Sequence, residues 1–170
     1  QVNLPQVYWK EIGGSVDAES AKTFAHNRIY GAPMATLGQA YHAPATADLT
    51  RFRGLWSGYG ASGVSWWSWQ AASETTWTEL SKPAPAPIAS PDPGWPLLNR
   101  GVNGDEVVWL QQHLASFNGS VPIDGRFDSS TESVLKAFQS ARGLPATGET
   151  DAATWLAVLA RPMRAVAWTK

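Results

Sequence analysis

Apolar positions along the chain follow two different rhythms, one on each side of a proline-rich run. On the N-terminal side, short apolar runs alternate with helical stretches. Gln6-Val7-Tyr8-Trp9 reads as a strand, Met34 to Ala40 as a second and Val64 to Trp69 as a third. Asp17 to Tyr30 is expected to be helical, with Ala21, Phe24, Ala25 and Ile29 on one face. Ala47 to Tyr59 is expected to form a second helix carrying Leu49, Phe52, Leu55 and Trp56, and Thr75 to Leu80 a short third one. Strand then helix, three times over, predicts parallel β/α units with a sheet buried on both faces.

On the C-terminal side the period is helical throughout. Val107, Leu110, Leu114 and Phe117 share one face of a helix from about Asp105 to Phe117. A second helix opens at Ser129, with Ser129 and Glu132 placed as a capping box, buries Val134, Leu135 and Phe138, and stops at Gly143. A third begins near Asp151 and is expected to bury Ala152, Trp155, Leu156 and Leu159. A three-helix set of about 60 residues is close to the lower limit for an independent core, so nearly every apolar position must be used. Between the halves, KPAPAPIASPDPGWP favours an extended spacer, because proline at this density continues neither a helix nor a central strand. The boundaries that follow are 1–81 for the α/β segment, 82–96 for the spacer, 97–162 for the helical domain and 163–170 for a tail.

Composition narrows the chemistry. The chain is 44% hydrophobic and 16% charged, which suits packed cores, and its net charge of -1 gives no electrostatic reason to expect nucleic acid or an acidic membrane. It has no cysteine, so a disulfide framework, a thiolate zinc site and a cysteine nucleophile are excluded. No apolar run approaches the ~20 residues of a membrane helix. His26, His42 and His113 are scattered without ligand spacing, no P-loop, GxSxG or GxGxxG occurs, and no metal or cofactor is implied. The chain starts at Gln1 without a signal-peptide pattern, which reads as a processed, truncated or fragmentary terminus.

The C-terminal run carries Gly104 before Val107, Leu110-Gln111, Leu114, Asp124-Gly125, Phe127, Thr131, Phe138-Gln139, Gly143-Leu144, Gly148, Asp151 and Thr154-Trp155, in that order. It resembles the three-helix (type 1) peptidoglycan-binding domain of bacterial cell-wall hydrolases. One departure is Asp128, where that family usually carries a second glycine and where Asp tolerates a left-handed turn. The resemblance implies noncovalent attachment to peptidoglycan and an extracellular, cell-wall-associated protein. It does not say which residues touch the ligand; Asp124, Gly125, Arg126, Phe127 and Gln139, polar or turn-located where that family forms its groove, are the contact candidates, with an Asx bond closing its own turn as the plain alternative for Asp124. Trp109, off the apolar stripe, reads as a contact residue, a docking surface or a stray exposed aromatic.

The N-terminal part looks like the last three units of a glycoside-hydrolase-like (β/α)8 barrel of the kind found in secreted actinobacterial proteins and lysins. That likeness rests on LPQVYW, on Gly38-Gln39-Ala40-Tyr41 and on GVSWWSWQ ahead of the spacer. Three units cannot close a barrel, so it implies a missing half or a second chain. It places Tyr8, Trp9, Gln39, Tyr41, Trp67, Trp69 and Gln70 around a glycan-contacting mouth at the C-terminal ends of the strands. Glycosidases need two carboxylates, and Glu11 is the one acidic residue positioned just beyond a strand end, so this segment offers a single catalytic candidate. Three functions stay open at this point: a wall-binding protein, a glycoside hydrolase or lysin completed by residues outside this chain, and an assembly element that binds a partner protein.

Overall fold

A computed structural model describes residues 2–164; Gln1 and the tail expected at 163–170, from 165 onward, lie outside the described residues. The chain divides into two compact units, Gln1–Pro93 and Gly94–Lys170.

The first unit runs β1 (Gln6–Val7), α1 (Val16–Asn27), β2 (Ala35–Gln39), α2 (Thr46–Gly58), β3 (Gly63–Trp67) and α3 (Glu74–Leu80). The strands are parallel and lie in the order β1-β2-β3, with Val7 opposite Gly38 and Gly38 opposite Trp66. When spatial order equals chain order, right-handed crossovers place successive helices on the same face of the sheet. Val7, Trp9, Val64 and Trp66 accordingly pack with Leu49, Phe52, Leu55 and Trp56. Phe52 is central to that core, with its ring 5.1 Å from Trp9 and 5.4 Å from Trp66. Gly38 is required beneath them, since a Cβ there would lie 2.7 Å from both Phe52 and Trp66. The opposite face carries exposed Gln6, Ser65 and Trp67, half-buried Ala35 and Leu37, and Gln39, which is buried beneath the loops after β1 and β2. The expectation of a sheet buried on both faces is therefore corrected. Covering the second face requires either a reversal of strand order or closure into a barrel, and three strands in sequence do neither. No barrel-like closure occurs among the described residues.

The proline-rich run is not a free spacer along its whole length. Residues 86–92 lie along α2 as a strap: the Ile88 amide donates to the Gly54 carbonyl at 2.9 Å, the Tyr59 hydroxyl donates to Ser90 Oγ at 3.3 Å, and Arg28 pairs with Asp92 at 2.5 Å. Gly54 and Gly58, one turn apart in α2, open the groove. A Cβ on Gly54 would sit 2.8 Å from Ile88 Cδ1, and one on Gly58 would fall on the Ile88 carbonyl. Gly54 in the interior of α2, costing about 1 kcal/mol relative to alanine, and Gly58 at its last position are thus explained by close backbone approach.

The second unit contains α4 (Asp105–Ala115), α5 (Ser129–Ala141) and α6 (Ala152–Leu159). Its entry is fixed by the Pro96 carbonyl, which accepts from Trp155 Nε1 at 2.7 Å and from the Thr150 hydroxyl at 2.9 Å. Val107, Leu110, Leu114, Leu135, Phe138, Trp155 and Val158 fill the core. Leu156 and Ala152, expected inside, face solvent, and Val158 takes the buried place because Trp155 and Val158 lie one turn apart on the same side. The cap of α5 is also corrected. Asp128, at φ -95, accepts from the amides of Ser130 and Thr131 at 2.9 Å, while Glu132 pairs with Lys136 at 2.6 Å. Where Asp128 was expected to tolerate a left-handed turn, it is an ordinary extended residue whose carboxylate starts the helix. Among the described residues no helix is long and apolar enough to cross a membrane.

Two buried side-chain nitrogens have no hydrogen-bond partner among the described residues, Trp9 Nε1 in the first unit and His113 Nε2 in the second. His113 bonds the Arg161 carbonyl through Nδ1 at 2.9 Å, while its Nε2 is buried without a partner. Burial holds the imidazole below its ordinary pKa, against the opposing pull of the Arg161 and Val158 carbonyls. The folded unit therefore resists protonation while the unfolded chain accepts a proton near pH 6.5. Stability of the second unit should be full above that value and decline as pH falls below it, and His113→Leu should flatten denaturation midpoints measured between pH 7 and 5. A second expectation concerns the strap. Gly58→Ala should cost about 1–3 kcal/mol and speed elastase cleavage within residues 83–93, while Ser57→Ala, beside it but exposed, leaves both unchanged.

Candidate functional site

Two places gather the residues singled out from the sequence: the turn before α5 in the second unit and the rim at the C-terminal ends of the strands in the first. At the turn, Gln111 is fully buried on α4. Its side-chain oxygen accepts from the amides of Asp124 and Gly125 at 3.0 and 2.9 Å. Its amino group donates to Asp124 Oδ1, the Arg126 carbonyl and Thr131 Oγ1, each at 3.0 Å. Gln139 on α5 repeats the arrangement one helix later. It accepts from Gly148 at 2.9 Å and donates to the Glu149 carbonyl at 2.9 Å and to Thr154 Oγ1 at 3.1 Å. The second unit thus contains one clamp built twice, with a helix glutamine, a left-handed glycine (φ +73 and +76), an aspartate cap and a threonine in the first turn of the next helix.

This construction sorts the expected contacts. Gln139 is consumed by its clamp, Phe127 is 1% exposed and belongs to the core, and Gly125 lies buried with its Cα against Val108. None of these three offers a side chain to a ligand. Asp124 and Arg126 are exposed. The Asp124 carboxylate accepts from the Arg126 amide at 2.9 Å as an Asx turn, and that bond first, with Gln111 second, holds its pKa below the ordinary carboxylate value. Arg126 is the side chain the turn presents outward. Trp109 is half-buried and meets the His113 ring edge-on, centroids 5.2 Å apart. Gln111 was missed as an organiser. Its signal was the repeated spacing of Gly125, Asp128 and Thr131 against Gly148, Asp151 and Thr154.

At the rim, Trp9 and Gln39 point inward. Trp9 is 2% exposed and stacks on Phe52. Gln39 accepts from the amides of Lys10 and Glu11 at 3.0 and 3.2 Å and donates to the Tyr41 carbonyl at 3.3 Å, so its amide is likewise spent within the protein. Tyr8, Glu11, Tyr41, Trp67, Trp69 and Gln70 all reach solvent, Tyr8 and Tyr41 in part. Tyr8 meets Tyr41 edge-on at 5.7 Å, and Tyr41 meets His42 at 4.7 Å. Glu11 Oε2 lies 3.0 Å from His42 Nδ1, a partnership that the sequence did not suggest. Burial first and Tyr41 second raise the Tyr8 pKa; burial and then Glu11 raise that of Tyr41, so both phenols remain donors at neutral pH. Asp17 is engaged with Arg51, and Glu79 with Thr50 and Lys82, away from the strand ends. Among the described residues no three His, Asp or Glu side chains converge as metal ligands.

Removing a clamp should be costly, because it orphans several buried backbone groups at once. Gln111→Ala or Gln139→Ala is expected to destabilise the second unit by about 2–4 kcal/mol in denaturant titrations, whereas Arg126→Ala stays within about 0.5 kcal/mol of the parent.

Comparison with known proteins bears on the second unit. Several solved structures are similar to the chain, among them the following three. The N-terminal domain of SleB is 33% identical over 38% of this chain and 90% of that one, with a TM-score of 0.36. A peptidoglycan-binding protein from Clostridioides difficile, solved with glutamine hydroxamate, is 33% identical over 37% of this chain, with a TM-score of 0.36. The Burkholderia AP3 phage endolysin is 32% identical over 37% of this chain, with a TM-score of 0.36. The matches span 40% of the second protein's length and 24% of the third's. No curated protein matches the chain. The family described as "Putative peptidoglycan binding domain" matches residues 103–158, from the bridge that precedes α4 to the last turn of α6. Over those residues the chain belongs to that peptidoglycan-binding family.

Proposed function

We propose that this chain attaches a secreted, wall-associated protein to peptidoglycan through its C-terminal unit. The family match over residues 103–158 carries the reading. Within the unit, the exposed Asp124–Arg126 turn, held rigid from beneath by Gln111, supplies the contact: a guanidinium on a fixed backbone suits the carboxylates of a peptide stem. Glu11, 3.0 Å from His42 at the strand ends, favours a second reading. In it the first unit belongs to a glycan hydrolase with Glu11 as one of its two carboxylates, the other lying outside this chain.

Co-sedimentation with purified insoluble peptidoglycan tests the first reading. The chain should pellet with the wall, and Arg126→Ala should weaken retention about tenfold at unchanged stability. Failure of the parent chain to pellet overturns wall attachment, and undiminished retention of Arg126→Ala removes the turn from the contact. Release of soluble sugar from walls, abolished by Glu11→Gln, would establish the second reading.

A further inference from the structure

Three positions in the chain set a short side-chain carbonyl directly before a glycine: Asn103-Gly104, Asn118-Gly119 and Asp124-Gly125. At such a pair the glycine nitrogen, unshielded by a Cβ, can attack the preceding side chain and close a cyclic imide. Two of the three are held shut. The Gly104 amide donates to the Gly125 carbonyl at 3.0 Å, and the Gly125 amide donates to Gln111 Oε1 at 2.9 Å. A nitrogen fixed in such a bond is not available as a nucleophile. The Gly119 amide makes no hydrogen bond among the described residues, and both Gly119 and Ser120 are exposed.

Asn118 is prepared from the other side as well. Its Oδ1 accepts from the Ser120 amide at 3.1 Å and from the Ser120 hydroxyl at 2.6 Å. Both donors draw electron density from Cγ, and both face the oxygen on which negative charge gathers when a nucleophile adds there. Asn103 instead spends its amino group on the Gly101 carbonyl at 3.1 Å.

We infer that Asn118 is a self-modification site, activated by Ser120, at which the Gly119 nitrogen displaces the side-chain amide as ammonia. Hydroxide takes the Gly119 amide proton, the nitrogen bonds to Asn118 Cγ, and the Cγ–Nδ2 bond breaks as Nδ2 leaves with a proton from water. Water then opens the imide at either carbonyl. Opening at one leaves an aspartate, and opening at the other leaves an isoaspartate whose main chain runs through the former side chain. The net change consumes water and releases ammonia, with no oxidation or reduction. The site closes α4: the Asn118 amide donates to the Leu114 carbonyl at 2.8 Å, and Arg164 Nη1 donates to the Gly119 carbonyl at 3.1 Å. Conversion therefore sets a carboxylate at the negative end of a helix, beside the contact that holds Arg164. The inference is independent of wall attachment, since it uses neither the Arg126 turn nor a ligand.

The full chain, folded and in parallel unfolded in urea, is incubated in warm, mildly alkaline buffer and followed by peptide mass mapping. In the folded chain residue 118 should become acidic, as aspartyl and isoaspartyl peptides of equal mass that separate chromatographically, while residue 103 keeps its amide. In urea both should convert at comparable rates. Gly119→Ala is expected to slow conversion about tenfold. That variant should fold, because Gly119 is not at positive φ and an added Cβ would meet Arg164 Nη1 at 3.5 Å, an ordinary contact. Ser120→Ala, which removes the hydroxyl and keeps the amide, should slow conversion about fivefold. An intact amide at 118 in the folded chain, or conversion of 103 there as fast as 118, overturns the inference. A parental rate in Ser120→Ala overturns the activation by Ser120.

Discussion

Three buried side-chain amides hold the loops on which the rest of this protein depends. Gln39 and Gln111 have no exposed surface and Gln139 has 1%. Each turns its oxygen toward loop N–H groups and its amino group toward loop carbonyls. A primary amide suits this because it offers an acceptor with two lone pairs and two donors from one planar group. The arrangement also makes each loop intolerant of small errors, since a displaced amide would strand several desolvated backbone groups together. Arg126 and Tyr41 stand on loops fixed in this way, so surface chemistry in both units is positioned from the interior.

Strand order is the second constraint, and it acts on the first unit alone. Sequential parallel strands collect α1, α2 and α3 in one layer and leave Gln6, Ser65 and Trp67 of the opposite face exposed. The same geometry brings the loops after β1 and β2 and the end of β3 to one rim. Aromatic residues there have no structural layer to enter, which separates Trp67 and Trp69 from the chemically identical Trp56 and Trp66.

Much of this was legible in the sequence. The alternation of strand and helix located β1 to β3 and α1 to α3, and helical periodicity located α4, α5 and α6. Arg28–Tyr30 and Trp69–Ala71, read as helix and strand ends, are short 3-10 turns. Periodicity failed where neighbouring apolar residues competed for one inward position, as Leu156 lost to Trp155 and Val158. Site residues were harder to read, because residue type does not reveal direction. Phe127, Gln139, Trp9 and Gln39 looked like contacts and are interior, for alternation and burial depend on tertiary neighbours that local pattern does not contain. The Glu11–His42 pair spans two loops brought together only by parallel strand pairing, so no local signal announces it. Asp128 shows the opposite case: departure from a glycine pattern looked like a tolerated exception and is a helix cap.

The strap on α2 changes where one module ends. By composition the fold finishes at about residue 81 and a dispensable connector follows. Gly54 and Gly58, however, leave a furrow in α2 that the chain at Ala86 and Ile88 fills. The glycine-bearing face of α2 and a connector without a fold of its own thus complete one another. Excising the α/β unit would therefore require a cut after the strap, since a cut within the proline-rich run delivers that unit with its second helix unsupported.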